Sequence, residues 1–226
     1  ERCMPSATLR VSLVRRVLQM TLPDAPLDIP RGQQILLEAA YSTPVRAYHN
    51  YAHVQEVLRH YADVAAGPGW TQPVETYLAV LYHDAIYEAG RKDNETRSAE
   101  LAIAQAGIWL GEAGIDALRV AELIRLTERH GQLSPADFGG DGFSLDAMHF
   151  LDCDMAILGS EPAAFDAYDC GIADEYRGHV PAFLFKLNRR RFLKGLLSRE
   201  RIFLSDWFHQ RYDAPARDNL HRVLDA

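Results

Sequence analysis

Among 226 residues with nine histidines and thirty-one carboxylates, a few polar side chains stand where the apolar pattern predicts a core. The densest case is Leu78-Ala79-Val80-Leu81-Tyr82-His83-Asp84-Ala85-Ile86-Tyr87. Val74, Tyr77, Leu78, Leu81, Tyr82 and Ala85 recur three and four apart, and further apolar residues fill most of the opposite side. Such a helix is a central one, buried by its neighbours. A carboxylate is almost never fully buried alone, because desolvating its charge is costly. Asp84 therefore needs a cation: a lysine, an arginine, its neighbour His83, or a metal ion held by His83 and Asp84 together.

Four further places put ligand-type residues on core faces. His49 and His53 are four apart, so on a helix they lie one above the other, about 6 Å apart along the axis. His53 shares a ridge with Val57 and Tyr61 and turns inward; His60 lies on the same side, roughly 10 Å further along and outside a shared ligand set. Thr127 and His130 extend the inward face of Val120, Leu123 and Ile124, where a backbone carbonyl would also satisfy them. Asp152 and Asp154 flank the stripe of Met148, Leu151, Met155 and Leu158 equally, so periodicity does not choose between them. Asn94 and Glu95 follow a Gly90-Arg91-Lys92-Asp93 turn and suit a helix start, where an acid favours the dipole.

Imidazoles mixed with carboxylates suit Zn, Mn, Fe or Ni better than Ca or Mg, which prefer oxygen. No cysteine joins the set, which argues against a closed structural zinc site. Cys3, Cys153 and Cys170 are odd in number and lack CxxC spacing. They read as reduced thiols of a cytoplasmic protein.

The elements that would position these residues all read as helices. The spacing predicts helices over about Ala7 to Met20, Gln33 to Tyr41, a segment ending near Ala66, Pro73 to Glu88, and Asn94 to Glu112, the last capped by Asp93 or Asn94. Others cover Asp116 to His130, a Ser144-capped segment ending at Gly159, Pro162 to Tyr176, Pro181 to Leu197, and Asp206 to Leu224. Thr21 to Arg31, with three prolines, reads as an extended connection. Residues 131–142 hold four glycines and a proline, the longest loop and a candidate lid. No strand alternation or repeat is present, so the chain reads as one all-α domain. Residues 1–30 form an N-terminal helix and connection, 41–160 the site core, and 161–226 the C-terminal helices.

A net charge of −7 argues against a nucleic-acid polymer or an anionic membrane as partner. No apolar run approaches the roughly 20 residues of a membrane span. Val11-Ser12-Leu13-Val14 runs straight into Arg15-Arg16, so no signal-peptide core is expected.

His53, then His83-Asp84, then Asp154, in that order on an all-helical chain, resembles the H…HD…D signature of the HD-domain metal-dependent phosphohydrolases. Four segments sharpen the resemblance, toward a group of predicted HD phosphohydrolases of unassigned substrate. They are Tyr48-His49-Asn50-x-x-His53, His83-Asp84-Ala85-x-Tyr87, Asp93-Asn94-Glu95-x-x-Ser98-Ala99 and Leu151-Asp152-x-Asp154-x-Ala156-Ile157-Leu158-Gly159. The likeness spans about Tyr41 to Phe203.

The resemblance implies an HD-type bundle with one or two divalent ions (Mn, Fe, Zn, Ni or Mg) held by His53, His83, Asp84 and Asp154. The Tyr48-to-His53 segment is also similar to the start of the cyclic-nucleotide phosphodiesterase site, which implies His49 as proton donor. Asn94 echoes an asparagine of that family at a longer spacing. The implied reaction is hydrolysis of a phosphomonoester, phosphodiester or nucleotide by activated water. Glu95 belongs to the third matched segment, His130 and Thr127 would contact phosphate or help hold a second ion, and Arg189 would clamp phosphate. Two other readings are carried beside it: an HD-type di-iron oxygenase with His130 as fifth ligand, and a nucleotide-binding regulatory module. None of these features fixes an oligomeric state.

Overall fold

The computed structural model describes residues 24–225; the helix expected over Ala7 to Met20 and the first three residues of the connection, Thr21 to Pro23, lie outside them. Among the described residues there are nine α-helices and no strand. They are α1 (Arg31–Ser42), α2 (Tyr51–Ala66), α3 (Pro73–Tyr82), α4 (Asn94–Trp109), α5 (Ala117–Leu126), α6 (Gly142–Met155), α7 (Pro162–Tyr176), α8 (Ala182–Leu197) and α9 (Asp206–Asp225). The all-α expectation holds. One apolar cluster runs from Ile29 through Val54, Leu78, Ile124 and Phe150 to Phe165, Leu193 and Leu224. The C-terminal helices therefore share the core of the site-bearing ones.

Helix α3 is the axis. Every residue from Thr76 to Tyr82 is buried, and α2, α4, α5 and α6 all pack on it. Pro73 starts it, where a missing N–H costs nothing. It ends at Tyr82, not near Glu88 as periodicity predicts. Side chains from elsewhere take the carbonyls that would continue it. Tyr41 donates its hydroxyl to Leu81 O at 3.0 Å. The Arg46 guanidinium, buried, donates to Asp84 O at 2.6 Å and Ala85 O at 3.1 Å, and also to His49 O and Ala40 O. Ser98 bonds both backbone groups of Ile86. His83 and Asp84 thus sit on a turn at the helix end, held by α1, α4 and the loop before α2.

Helix starts follow capping chemistry in three places. Asn50, Asp116 and Asp141 accept from backbone N–H groups of the first turns of α2, α5 and α6. Asp141 thus takes the capping place expected of Ser144. Asp93 precedes α4 without a side-chain cap; its carboxylate pairs with Arg91. Helix α5 stops at Leu126, where Thr127 donates its hydroxyl to Ile124 O at 2.7 Å and a short 3-10 turn follows. The predicted helix to His130 is therefore four residues shorter.

The segment 131–142 is not free to act as a lid. Arg199 donates to the carbonyls of Gly131 and Leu133, Leu133 is buried with Leu151 and Leu204, and Gly139 N donates to Ser144 Oγ. No helix among the described residues is long and apolar enough to cross a membrane. Cys153 is free and buried, and Cys3 lies outside the described residues.

Candidate metal centre and cleft

Helix α2 brings His53, the end of α3 brings His83 and Asp84, and the last turn of α6 brings Asp154. His53 Nε2 lies 3.0 Å from His83 Nε2, 3.4 Å from Asp84 Oδ2 and 3.1 Å from Asp154 Oδ1. His83 Nε2 lies 3.2 Å from Asp84 Oδ2 and 3.6 Å from Asp154 Oδ1. Four donor atoms around a cation at 2.0–2.2 Å would be separated by roughly 2.8–3.1 Å in octahedral and 3.3–3.6 Å in tetrahedral arrangement. These five edges fall in that range. His53, His83 and Asp84 form a group that could hold a metal ion, and Asp154 approaches its two histidines at the same spacing.

The protons support this fit. His83 donates Nδ1–H to Val80 O at 2.8 Å, so a neutral ring offers a lone pair on Nε2 to its partners, an orientation familiar in metal-bound histidine. Without a cation, one ring can donate its Nε2–H to the other across 3.0 Å; with both rings in the Nδ1–H form, the two Nε2 lone pairs and the nearby carboxylate oxygens are all free to face one cation. Burial alone would lower the His83 and His53 pKa values, but the carboxylates of Asp84 and Asp154 raise both. In return, the histidines hold both carboxyls below their ordinary range despite burial. The imidazoles are sealed, at 3% and 1% exposure, while the carboxylates keep 15% and 14%. A ligand would reach the centre from the carboxylate side.

That side opens on a cleft of about 520 Å³ between α6, α7, α8 and the turn after α5. At its inner end His130 Nε2 lies 2.7 Å from Asp154 Oδ2, so the two Asp154 oxygens face different histidines. His49 stacks on Tyr87 with ring centroids 4.0 Å apart. Its Nδ1 lies 2.6 Å from Glu175 Oε2, and the other oxygen of Glu175 accepts the backbone N–H groups of Tyr48 and His49. Burial would raise the Glu175 carboxyl, but these bonds outweigh it and hold it below its ordinary value. Nδ1 of His49 is engaged, and Nε2 has no partner among the described residues. Glu95 also lines the cleft; burial, and then the charge of Asp84, raise its carboxyl. Arg189 lies along the wall, with Nε 2.9 Å from Asp169 Oδ1 and its guanidinium over Tyr168.

Two expected site residues serve the scaffold. Asn94 clasps Glu88 through both backbone groups, Oδ1 accepting from N and Nδ2 donating to O, which secures the turn after Asp84. Thr127 closes α5 as described, and neither residue lines the cleft. Asp152 faces away from the centre: it accepts from Leu204 N, Ser205 N and Ser205 Oγ. Burial pushes its carboxyl up to about 7 against those hydrogen bonds. His60 packs against Phe208 and Tyr212 of α9.

Glu175 and Arg46 are the residues that sequence reasoning missed. Glu175 had a signal, since Phe165, Tyr168, Ile172 and Glu175 follow a 3-4-3 spacing that puts an acid on the inner face of α7. Arg46 had none, because its partners are backbone carbonyls. No family model, curated protein or solved structure matches the chain.

Proposed function

We propose that this protein is a metal-dependent phosphohydrolase acting on a small phosphate ester. The observation that carries the reading is the His49–Glu175 pair at the edge of the His/Asp cluster. An imidazole whose Nδ1–H is held by a carboxylate presents Nε2 in one orientation, as a group that hands over a proton must. His53, His83, Asp84 and Asp154 would hold a divalent cation; Mn, Fe, Zn and Ni fit the donors best, and Mg less well. Bound there, the cation would polarise a phosphoryl oxygen and ease deprotonation of a water. His49 Nε2 protonates the leaving oxygen, Glu175 fixes the ring and offsets its positive charge, and Tyr87 stacks under it. His130 and Glu95 border the space where the phosphoryl group would sit.

The test is hydrolysis of p-nitrophenyl phosphate, bis-p-nitrophenyl phosphate and a nucleotide panel with each of the five metals supplied. Metal-dependent release that disappears in Asp84→Ala supports the proposal. Inactivity toward the whole panel with a fully loaded centre overturns it.

A second reading rests on Asp154, whose two oxygens face His53 and His130 separately. A carboxylate shared in this way suits a pair of cations, and a di-iron oxygenase would use such a pair. Metal analysis with an optical spectrum of anaerobically purified protein separates the two, since two irons with oxygen-sensitive absorption would favour the oxygenase.

A further inference from the structure

The cleft combines two kinds of lining, ionisable and aromatic, and the contrast bears on what the enzyme takes. Its ionisable lining is acidic: Glu95, Glu128 and Asp154 against Arg189 alone, with His49 and His130 beside the centre. Among the described residues that line it there is no lysine. Arg189 is already neutralised, both Nε and Nη2 lying within 2.9 Å of Asp169. A polyphosphate needs several cations along its length, and this cleft offers none beyond the centre itself.

Much of the remaining wall is aromatic. Tyr48, whose ring lies 4.9 Å from that of His53, meets Tyr168 edge to face at 4.7 Å, and Tyr176 and Phe185 lie 5.3 Å apart. Phe192 continues the wall, with the Arg189 guanidinium 5.7 Å from its ring. Rings of this kind favour flat π-systems by stacking and edge contacts.

We infer that the substrate is a phosphate ester with its charge confined to one phosphoryl group and its organic part carrying a planar aromatic ring, such as a nucleobase. The inference rests on the phosphohydrolase reading for the placement of phosphate at the centre. The aromatic wall then binds the ring, while Glu95 and Glu128 repel further phosphates.

Calorimetric titration of the metal-loaded protein with adenosine 5′-monophosphate, ribose 5-phosphate and adenosine 5′-triphosphate tests it, alongside turnover of the same three. The monophosphate should bind roughly tenfold or more tightly than ribose 5-phosphate, given the worth of one stacked ring. The triphosphate should bind no more tightly than the monophosphate. Phe185→Ala, on a half-exposed position of α8, should narrow the gap between the first two ligands.

Equal binding of the ringless ester, tighter binding of the triphosphate, or no binding of the monophosphate at millimolar concentration would each overturn the inference. Turnover without ring discrimination overturns it while sparing the hydrolase reading. Ring discrimination without any turnover supports it and counts against that reading instead.

Discussion

His53 and His83 present their Nε2 atoms to each other across 3.0 Å, although each ring is buried and each faces carboxylates. Two imidazolium groups would not hold that approach without repulsion, whereas two neutral ones share a single proton between them. The same convergence of lone pairs and carboxylates could instead hold a metal ion. The turn that ends α3 makes this possible, because it frees His83 to donate Nδ1–H back to Val80 O.

Metal binding should therefore depend on both members of the His83–Asp84 pair. Added divalent metal should raise the melting temperature of the native protein, since a ligand at a hundred times its Kd contributes about 2.7 kcal/mol. His83→Ala and Asp84→Ala should show neither that rise nor stoichiometric metal on analysis. Full metal content in Asp84→Ala would remove the centre as drawn.

The two aspartates of α6 should separate cleanly. Asp154→Asn should lose metal with little change in metal-free stability. Asp152→Ala should retain metal but melt several degrees lower, because buried donors at Leu204 and Ser205 lose their acceptor at about 1–3 kcal/mol per stranded group. Metal content and thermal melts of the pair would reveal a reversed ranking.

His49 and Glu175 should act as a unit on turnover, not on metal. His49→Ala should keep its metal and lose about 10²–10⁴-fold in rate, most for alkoxide leaving groups and least for nitrophenolate. Glu175→Gln should show the same leaving-group pattern with a smaller loss, about 10–100-fold by analogy with other carboxylates that orient a histidine. Metal loss in His49→Ala, with uniform inactivity across leaving groups, would make His49 a ligand instead.

Much of this arrangement was legible in the chain. Among the described residues, helices declared by 3.6-residue periodicity appear where expected, and His53, His83-Asp84 and Asp154 stood out as polar groups on apolar faces. Several helices end earlier than expected, and two of those ends have clear and different causes. At Glu88 the expected continuation fails because Arg46, Tyr41 and Ser98 take the carbonyls, and none of them is local. At His130 it fails because Thr127 bonds back to its own helix. Asp152 and Asp154 were symmetric about their stripe. What separates them is the turn at 204–205, some fifty residues away, whose N–H groups claim Asp152.

His149 offers a test of the fold by acid. It is 7% exposed, its Nδ1 has no hydrogen-bond partner, and Trp70 and Phe208 pack around it. Burial lowers its pKa from 6.5 to about 4. Between those values the unfolded chain takes up a proton that the folded protein refuses. Stability from this residue is thus present above pH 6.5 and lost as pH falls toward 4, by at most about 3 kcal/mol. His149→Phe keeps the aromatic packing and removes the titration. Urea unfolding at steps from pH 7 to pH 4 should show the native protein losing stability faster than the variant across that window. Parallel curves would mean that His149 accepts its proton in the folded state, and that the pocket beneath Trp70 is wetter than its packing implies.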